Sequence, residues 1–362
     1  MEILCTRPGC SQPRNSFSDL DDSTVLKTIQ QKYCTTCGMP LILGGRYLTK
    51  RLLGQGGFGA AFLACDRYTP TMRLCVVKQF QPSGHLTGPA LDIAQGLFER
   101  EAVVLEQLGQ RHRQIPDLLA FFPLIVPDRA GGQETQFFYL VQELIDGQDL
   151  ETELATKGQF SEVEVTEVLI EVLKILEYVH ENGSIHRDIK PSNIMRDKNG
   201  ILYLLDFGAV KQVAVGAANN PQGSTGIFTQ GFAPPEQMQG QKVYPATDLY
   251  ALAVTCLNLL TGKSPEQLFD SYNNTWNWKA HAPQVSDRLS AIFDRLLLPT
   301  PSDRFTSAQE VLQALQSNLS SPISPTPLTP PTPPTPPPSP PPPPPPPFTP
   351  PPPPAGISSC ST

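Results

Sequence analysis

The chain has 362 residues, 39% of them hydrophobic, and a formal net charge of −7. That length suits two ordinary domains or one large two-lobed one, and the negative balance gives no general attraction for nucleic acid or an anionic membrane. No run of about 18 apolar residues suggests a membrane span, and MEILCTRPGC lacks a signal-peptide layout, so the chain reads as cytoplasmic and its eight cysteines as thiols or metal ligands rather than disulfides.

Residues 1–40 hold four of those cysteines and almost no hydrophobic periodicity. Cys5 and Cys10 are one pair; Cys34 and Cys37, followed by Gly38, are the other, 23 residues further on. Thiolate pairs at such short spacing suit tetrahedral Zn²⁺, with scattered free thiols or a redox pair as alternatives. The same 40 residues carry four acidic and four basic side chains, which argues against nucleic-acid binding by this element. Cys65, Cys75 and Cys256 lie in apolar patterns and are expected in the core; Cys360 is a tail thiol.

From Tyr47 to Leu319 the composition is globular. LLGQGGFGAAFLA (52–64) places Gly54, Gly56 and Gly59 in G-x-G-x-x-G spacing. A dinucleotide-binding turn would run into a helix, whereas AAFLACD and RLCVVKQF read as strands, which favours a hairpin whose backbone amides approach phosphates. Lys78 ends the apolar run Cys75, Val76, Val77 and needs a partner there. Glu101, in the amphipathic pattern LFEREAVVLEQLG (97–109), is the candidate, with Glu99 as the alternative if the helix is rotated. FFYLVQELI (137–145) reads as a strand and residues 162–183 as a long amphipathic helix. Strand-rich then helix-rich order predicts an α+β fold with two lobes.

SIHRDIKPSNIMRD (184–197) concentrates one His, two Asp, two Arg, one Lys and one Asn between that helix pattern and an apolar strand pattern. Either it is a solvated turn or it handles a proton and a metal ion. YLLDFGAVK (203–211) then puts Asp206 at a strand end, 18 residues after Asp188 and 13 after Asn193. Those oxygens suit Mg²⁺.

With these motifs in this order over roughly 270 residues, the chain resembles a bacterial serine/threonine protein kinase, of the cyanobacterial type with a four-cysteine N-terminal element. The resemblance implies a bilobal fold, with residues 1–40 a zinc-ribbon-like element, 47–319 the kinase domain and 320–362 a disordered tail. It implies that Leu53, Gly54, Gln55, Gly56, Gly57, Phe58 and Gly59 cover the phosphates of ATP, and that Ala61 and Val76 flank adenine. Glu143 to Ile145 would form the hinge, and Asp149 would meet the ribose. Lys78 would hold the α- and β-phosphates and pair with Glu101. Asp188 would take the hydroxyl proton, Lys190 would neutralise the γ-phosphate, and Asn193 and Asp206 would bind Mg²⁺, with Mn²⁺ as an alternative ion. Lys190 and Thr229 resemble the class acting on Ser and Thr of protein substrates. Glu236 should pair with Arg304, Asp248 should tether the catalytic loop, and His186 and Ile189 should be core residues holding it.

The chain departs from the family where Ala61 and Val76 stand for the usual Val and Ala, a volume-conserving exchange. Arg187 precedes Asp188 and offers a positive pocket for a phosphate on the segment 209–233; Ser224 and Thr225 are the expected autophosphorylation sites, an unmodified loop being the alternative. Of the 33 residues from Pro322 to Pro354, 23 are proline, which predicts a polyproline-II-rich tail. It either tethers a PxxP-reading partner or is inert, the second being favoured. A nucleotide-binding pseudokinase scaffold and a small-molecule kinase are the competing functions; the first needs a missing catalytic part, and none is missing.

Overall fold

The computed structural model describes residues 1–55, 59–81, 89–127, 134–212 and 229–316. Gly56, Gly57, Phe58, Ser224, Thr225, Cys360 and the proline-rich tail lie outside them. The first half builds a hairpin, β1 (Glu2–Leu4) and β2 (Arg14–Ser16), a short helix α1 (Ser23–Thr28), and strands β3 (Ile42–Leu43), β4 (Tyr47–Gln55), β5 (Gly59–Asp66) and β6 (Leu74–Phe80). Helix α2 (Pro89–Leu108) follows, then β7 (Leu118–Pro127) and β8 (Glu134–Glu143). β3 to β8 form one antiparallel six-stranded sheet in the order β3-β4-β5-β6-β8-β7.

Strand alternation decides what each face of that sheet does. On β5, Ala60, Phe62 and Ala64 are buried, while Ala61 and Leu63 are less so; on β6, Cys75, Val77 and Gln79 are buried, while Val76 and Lys78 are less so. Ala61 lies opposite Lys78 and Leu63 opposite Val76, so these four share one face. The other face is covered by the cysteine element. Ile3, Cys5, Leu20, Leu26, Cys34 and Met39 form one apolar cluster with Tyr47, Phe62, Cys65, Cys75, Val77 and Tyr139. Polar bonds fasten it. Thr49 donates to the Leu4 carbonyl, and the Arg67 guanidinium donates to the carbonyls of Leu26 at 3.0 Å and Ile29 at 2.6 Å.

The second half carries β9 (Gly147–Asp149), α3 (Leu150–Lys157), α4 (Glu162–Glu181), β10 (Ser184–Ile185), β11 (Ile194–Asp197), β12 (Leu202–Leu204) and β13 (Lys211–Gln212). Then come α5 (Pro235–Met238), α6 (Pro245–Thr261), α7 (Pro265–Leu268), α8 (Asp287–Leu296) and α9 (Ala308–Gln316). α4 starts where Ser161 and Glu164 form a reciprocal capping box, satisfying two otherwise orphaned amides. Its inner stripe, Val165, Val168, Leu169, Val172, Leu173, Leu176, packs with α6, of which nearly every residue is buried. α6 ends at Gly262, whose φ of +64° suits a residue without Cβ.

Arg304 and Glu236 are buried together as a bidentate pair at 2.8 and 3.0 Å. Arg304 also donates to the carbonyls of Leu298, Ala246 and Pro299, so its donors are spent and the buried charge is compensated. Among the described residues no helix is long and apolar enough to cross a membrane.

Candidate active site

Lys78 reaches from β6 toward α2, where it pairs with Glu101, while Asp206 Oδ1 lies 3.6 Å from the same ammonium. Glu101, not Glu99, points at the lysine; Glu99 accepts from Gln95 on the flank of the helix. Burial opposes both charges. It pulls the Lys78 ammonium down, but the carboxylates of Glu101 and Asp206 outweigh it and hold the group charged, above the usual lysine range. The Lys78 charge in turn holds Asp206 below the usual carboxylate range, against its own desolvation. Asp206 has a φ of +63°, an unusual conformation for a residue with a Cβ and one that costs about 1–3 kcal/mol. Phe207 beside it is fully buried and meets the His186 ring edge-on at 4.8 Å.

The loop between β10 and β11 gathers the remaining charge. Thr229 Oγ1 donates to Asp188 Oδ1 at 2.7 Å, Lys190 Nζ lies 2.7 Å from that hydroxyl and 2.9 Å from Asp188 Oδ2. Asn193 Nδ2 donates to the Asp188 carbonyl and to Oδ2, at 2.8 and 2.9 Å. That fixes the amide so that its oxygen turns away from Asp188.

Beneath the loop, Asp248 from the buried start of α6 accepts the backbone amides of His186 and Arg187, at 2.8 and 2.7 Å, and faces His180 Nε2 at 2.8 Å. Its burial favours the neutral acid, but the His180 ring and the loop amides prevail and keep the pKa low. Burial pushes the His186 pKa down, only partly offset by the aspartates around it. Its Nε2 sits 3.0 Å from the Leu205 carbonyl and its Nδ1 accepts the Asp188 amide, so its place is structural. Arg187 is buried with a φ of +71° and its carbonyl accepts from Gln237 at 2.7 Å.

Ala61 and Val76 share the sheet face of Lys78. Ile145 is buried behind β8. Glu143 spends its carboxylate on Arg73 at 3.0 Å. Asp149 caps α3, accepting Thr152 N and Oγ1, each at 2.8 Å. Leu53, Gly54 and Gln55 end β4 exposed. Gly59 is required by its own sheet: a Cβ there would sit 2.0 Å from the Gln79 carbonyl oxygen. Sequence reasoning missed His180 and Gln237. For His180 there was a signal, since it follows Leu176 and Leu173 at i+4 and i+7 on the inner stripe of α4.

The four N-terminal cysteines converge. Cys5 Sγ lies 3.5 Å from Cys37 Sγ, Cys10 Sγ 3.7 Å from Cys34 Sγ, and all four sulfurs are within 4.8 Å of one another. A tetrahedral Zn–S₄ site with bonds of about 2.3 Å has sulfurs about 3.8 Å apart. The Asn15 amide and the Arg7 backbone N–H point at Cys34 and Cys5. Burial pushes the Cys5 thiol up, and it raises Cys34 too, but there the amides of Thr36, Cys37 and Asn15 prevail and bring it down to about 6.

A sheet lobe with a lysine–glutamate pair, joined to a helical lobe whose tethered loop carries Asp188, Lys190 and Asn193, defines a protein kinase. The family model for the protein kinase domain matches residues 47–316, and the chain belongs to that family. It is similar to serine/threonine-protein kinase F of Synechocystis sp., 64% identical over 315 residues, 87% of this chain and 63% of that protein. It is 41% identical over 283 residues to serine/threonine-protein kinase PknA of Nostoc sp., 77% of this chain and 48% of that protein. Serine/threonine-protein kinase B of Synechocystis sp. is 40% identical over 321 residues, 86% and 51% of the two chains. The chain thus spans between about half and just under two thirds of the length of these curated relatives.

Proposed function

We propose that the chain is an ATP-dependent protein kinase that transfers the γ-phosphate of Mg-ATP to serine and threonine hydroxyls of protein substrates. The observation that carries this reading is the bonded set Asp188–Thr229–Lys190, with Asn193 on its flank and the charged Lys78–Glu101 pair across the cleft. In such chemistry positioning and electrostatic stabilisation do most of the catalysis. Asp188 keeps a carboxylate at the place where a substrate hydroxyl can donate its proton, and Thr229 and Lys190 fix its rotamer. Lys190 offsets charge on the transferring phosphoryl group. Lys78, held charged by Glu101, orients the α- and β-phosphates, and the glycine-rich sequence from Leu53 to Gly59 supplies backbone amides to them. Ala61 and Val76 line the adenine pocket, Glu143 to Ile145 supply hinge backbone, and Asp149 lies at the ribose.

Asn193 and Asp206 offer hard oxygens suited to Mg²⁺, which supplies charge neutralisation between the phosphates when bound. The four sulfurs fit Zn²⁺, bound by Cys5, Cys10, Cys34 and Cys37 as a structural ion. We assign Ser224 and Thr225 as autophosphorylation sites, with Arg187 as the cation that a phosphate on their segment would meet, and the cytoplasm as the working compartment. For the tail the inert reading is kept, with a protein that reads PxxP segments as the alternative partner class.

The test is transfer of labelled γ-phosphate from Mg-ATP to a protein mixture and to the chain itself, in the intact protein and in Asp188→Asn. Label on serine and threonine that disappears in the variant supports the reading. Nucleotide binding without label in either protein would favour a pseudokinase scaffold, and label on free metabolites alone a small-molecule kinase.

A further inference from the structure

A cleft of about 650 Å³ lies between the cysteine element and the outer face of the β4–β5 hairpin. Four cations line it, Arg7 and Arg14 from the element and Lys50 and Arg51 from β4, and among the described residues no aspartate or glutamate does. In a chain of net charge −7 this is a local reversal of sign, and it arises by segregation. Three of the four acids of the first 40 residues are spent elsewhere, and the fourth, Glu2, pairs with Arg14. Asp19 pairs with Lys32 at 2.6 Å, Asp21 with the N-terminal ammonium at 2.6 Å, and Asp22 caps α1. Glu2 meets Arg14 in solvent at 3.0 Å. Lys50 and Arg51 are exposed and have no ion-pair partner among the described residues. Arg7 is fixed by donating from Nη2 to the Pro127 carbonyl at 3.0 Å, while its Nε is buried with no hydrogen-bond partner among the described residues. The floor is apolar, with Leu52 and Phe62.

We propose that this cleft binds a phosphorylated serine or threonine side chain of a peptide. A cluster of cations, Arg7, Lys50 and Arg51 beside the Glu2-paired Arg14, suits a phosphate monoester, which carries about −1.5 to −2 charges at neutral pH. Leu52 and Phe62 suit an apolar neighbour of that residue, and the volume is that of a small-ligand pocket, which fits a few residues of chain. The alternative use of the four cations is to offset a zinc–thiolate cluster, since four thiolates and one divalent ion leave about two negative charges. Arg14 is already paired with Glu2, so of the other three cations two would balance that and one would remain for a ligand, which is why the test below follows bound metal as well as peptide. A peptide seated here presses on the outside of the hairpin whose inner face carries Ala61, so its binding site is separate from the nucleotide's. The kinase reading matters only as the source of phosphorylated side chains; the binding test uses no transfer step, and its failure leaves that reading untouched.

The test is fluorescence anisotropy with the full-length, metal-loaded protein, without nucleotide. The probes are a short labelled peptide carrying phosphoserine between two leucines, its serine and glutamate twins, and a short single-stranded DNA. The phosphoserine peptide should bind at least about tenfold more tightly than either twin, about 1.4 kcal/mol, and inorganic phosphate should displace it. Lys50→Glu/Arg51→Glu should abolish that preference while Tm and bound metal stay at the intact protein's values. Lys50→Met/Arg51→Met, which keeps the aliphatic stems, should weaken binding in the same direction. Equal binding of the phosphoserine and glutamate peptides, tighter binding of DNA, or variants that still hold the phosphopeptide would each overturn the proposal. So would a loss of peptide binding that only tracks a loss of metal, because the charges would then serve the cysteine cluster.

Discussion

The Tyr139 hydroxyl and Thr6 Oγ1, 133 residues apart in sequence, share a buried hydrogen bond of 2.7 Å, and Gln79 Nε2 donates to the same hydroxyl at 3.0 Å. The bond joins the loop after Cys5 to strands β6 and β8 at once, one residue from Lys78 but on the opposite face of the sheet. The cysteine element is therefore the outer layer of this lobe. Tyr139→Phe keeps the ring and strands two buried polar groups, which costs about 1–3 kcal/mol. Urea unfolding should show that loss in the midpoint with the slope unchanged; a midpoint equal to the intact protein's would mean that water replaces the hydroxyl.

Metal removal should act on the same layer. With Zn²⁺ bound by the four sulfurs, elemental analysis should return one zinc per chain, and chelation should lower Tm by at least about 5 °C, since about 1 kcal/mol moves Tm by about 2–4 °C in large domains. Cys34→Ser should reproduce the loss, whereas Cys256→Ser, in the core of α6, should leave the zinc content unchanged. Chelator-insensitive melting would point to free thiols.

Much of the site was legible because its residues are close in sequence and each departs from what a core or a turn needs. Asp188, Lys190 and Asn193 fall within six positions of one loop, and a lysine closing an apolar strand already demands a carboxylate. Glu101 could be named only with Glu99 as a rival, because helix rotation is fixed by what α2 packs on. The docking of the cysteine element was not read, although β5 and β6 are apolar on both faces, which implies cover on both sides. Nothing local in Thr6 tells that it meets Tyr139. The balanced charge count of residues 1–40 concealed the basic cleft for a similar reason: it records how many charges there are, while the fold decides which of them stand together. Asp149, expected at the ribose, is seen as the cap of α3.

Asp248 makes a pH prediction with a definite sign. Its folded pKa lies below the ordinary aspartate value of 3.8, through the His180 ring and the loop amides and despite burial. A carboxyl with a depressed folded pKa contributes stability that is fully present above the unfolded value and is lost as pH falls through the folded one. Asp248→Asn should therefore be destabilised at pH 7, by about 3–5 kcal/mol if it behaves as a broken buried charge network. The gap to the intact protein should stay constant down to about pH 5 and then narrow on acidification below about pH 4. Urea midpoints at four pH values would measure it, and a gap that widens on acidification would contradict the assigned direction.

Ala61 and Val76 offer the narrowest check on the nucleotide pocket. Ala61 lies opposite Lys78 and Val76 opposite Leu63, so the two are diagonal neighbours on one face, within reach of a common ligand ring. The family's usual residues are exchanged between these positions, which conserves the volume around a flat base. Ala61→Val alone should crowd the ring, and Val76→Ala alone should leave it loosely packed. Each buried methyl or methylene is worth about 0.8 kcal/mol, and valine and alanine differ by two, so either single change should weaken ATP binding about four- to fifteenfold. The double variant should return to within about twofold of the intact protein, because neighbouring sites couple where distant ones add. ATP titrations of the four proteins complete the cycle. A double variant no better than either single one would show that the two positions act independently and that the exchange does not compensate.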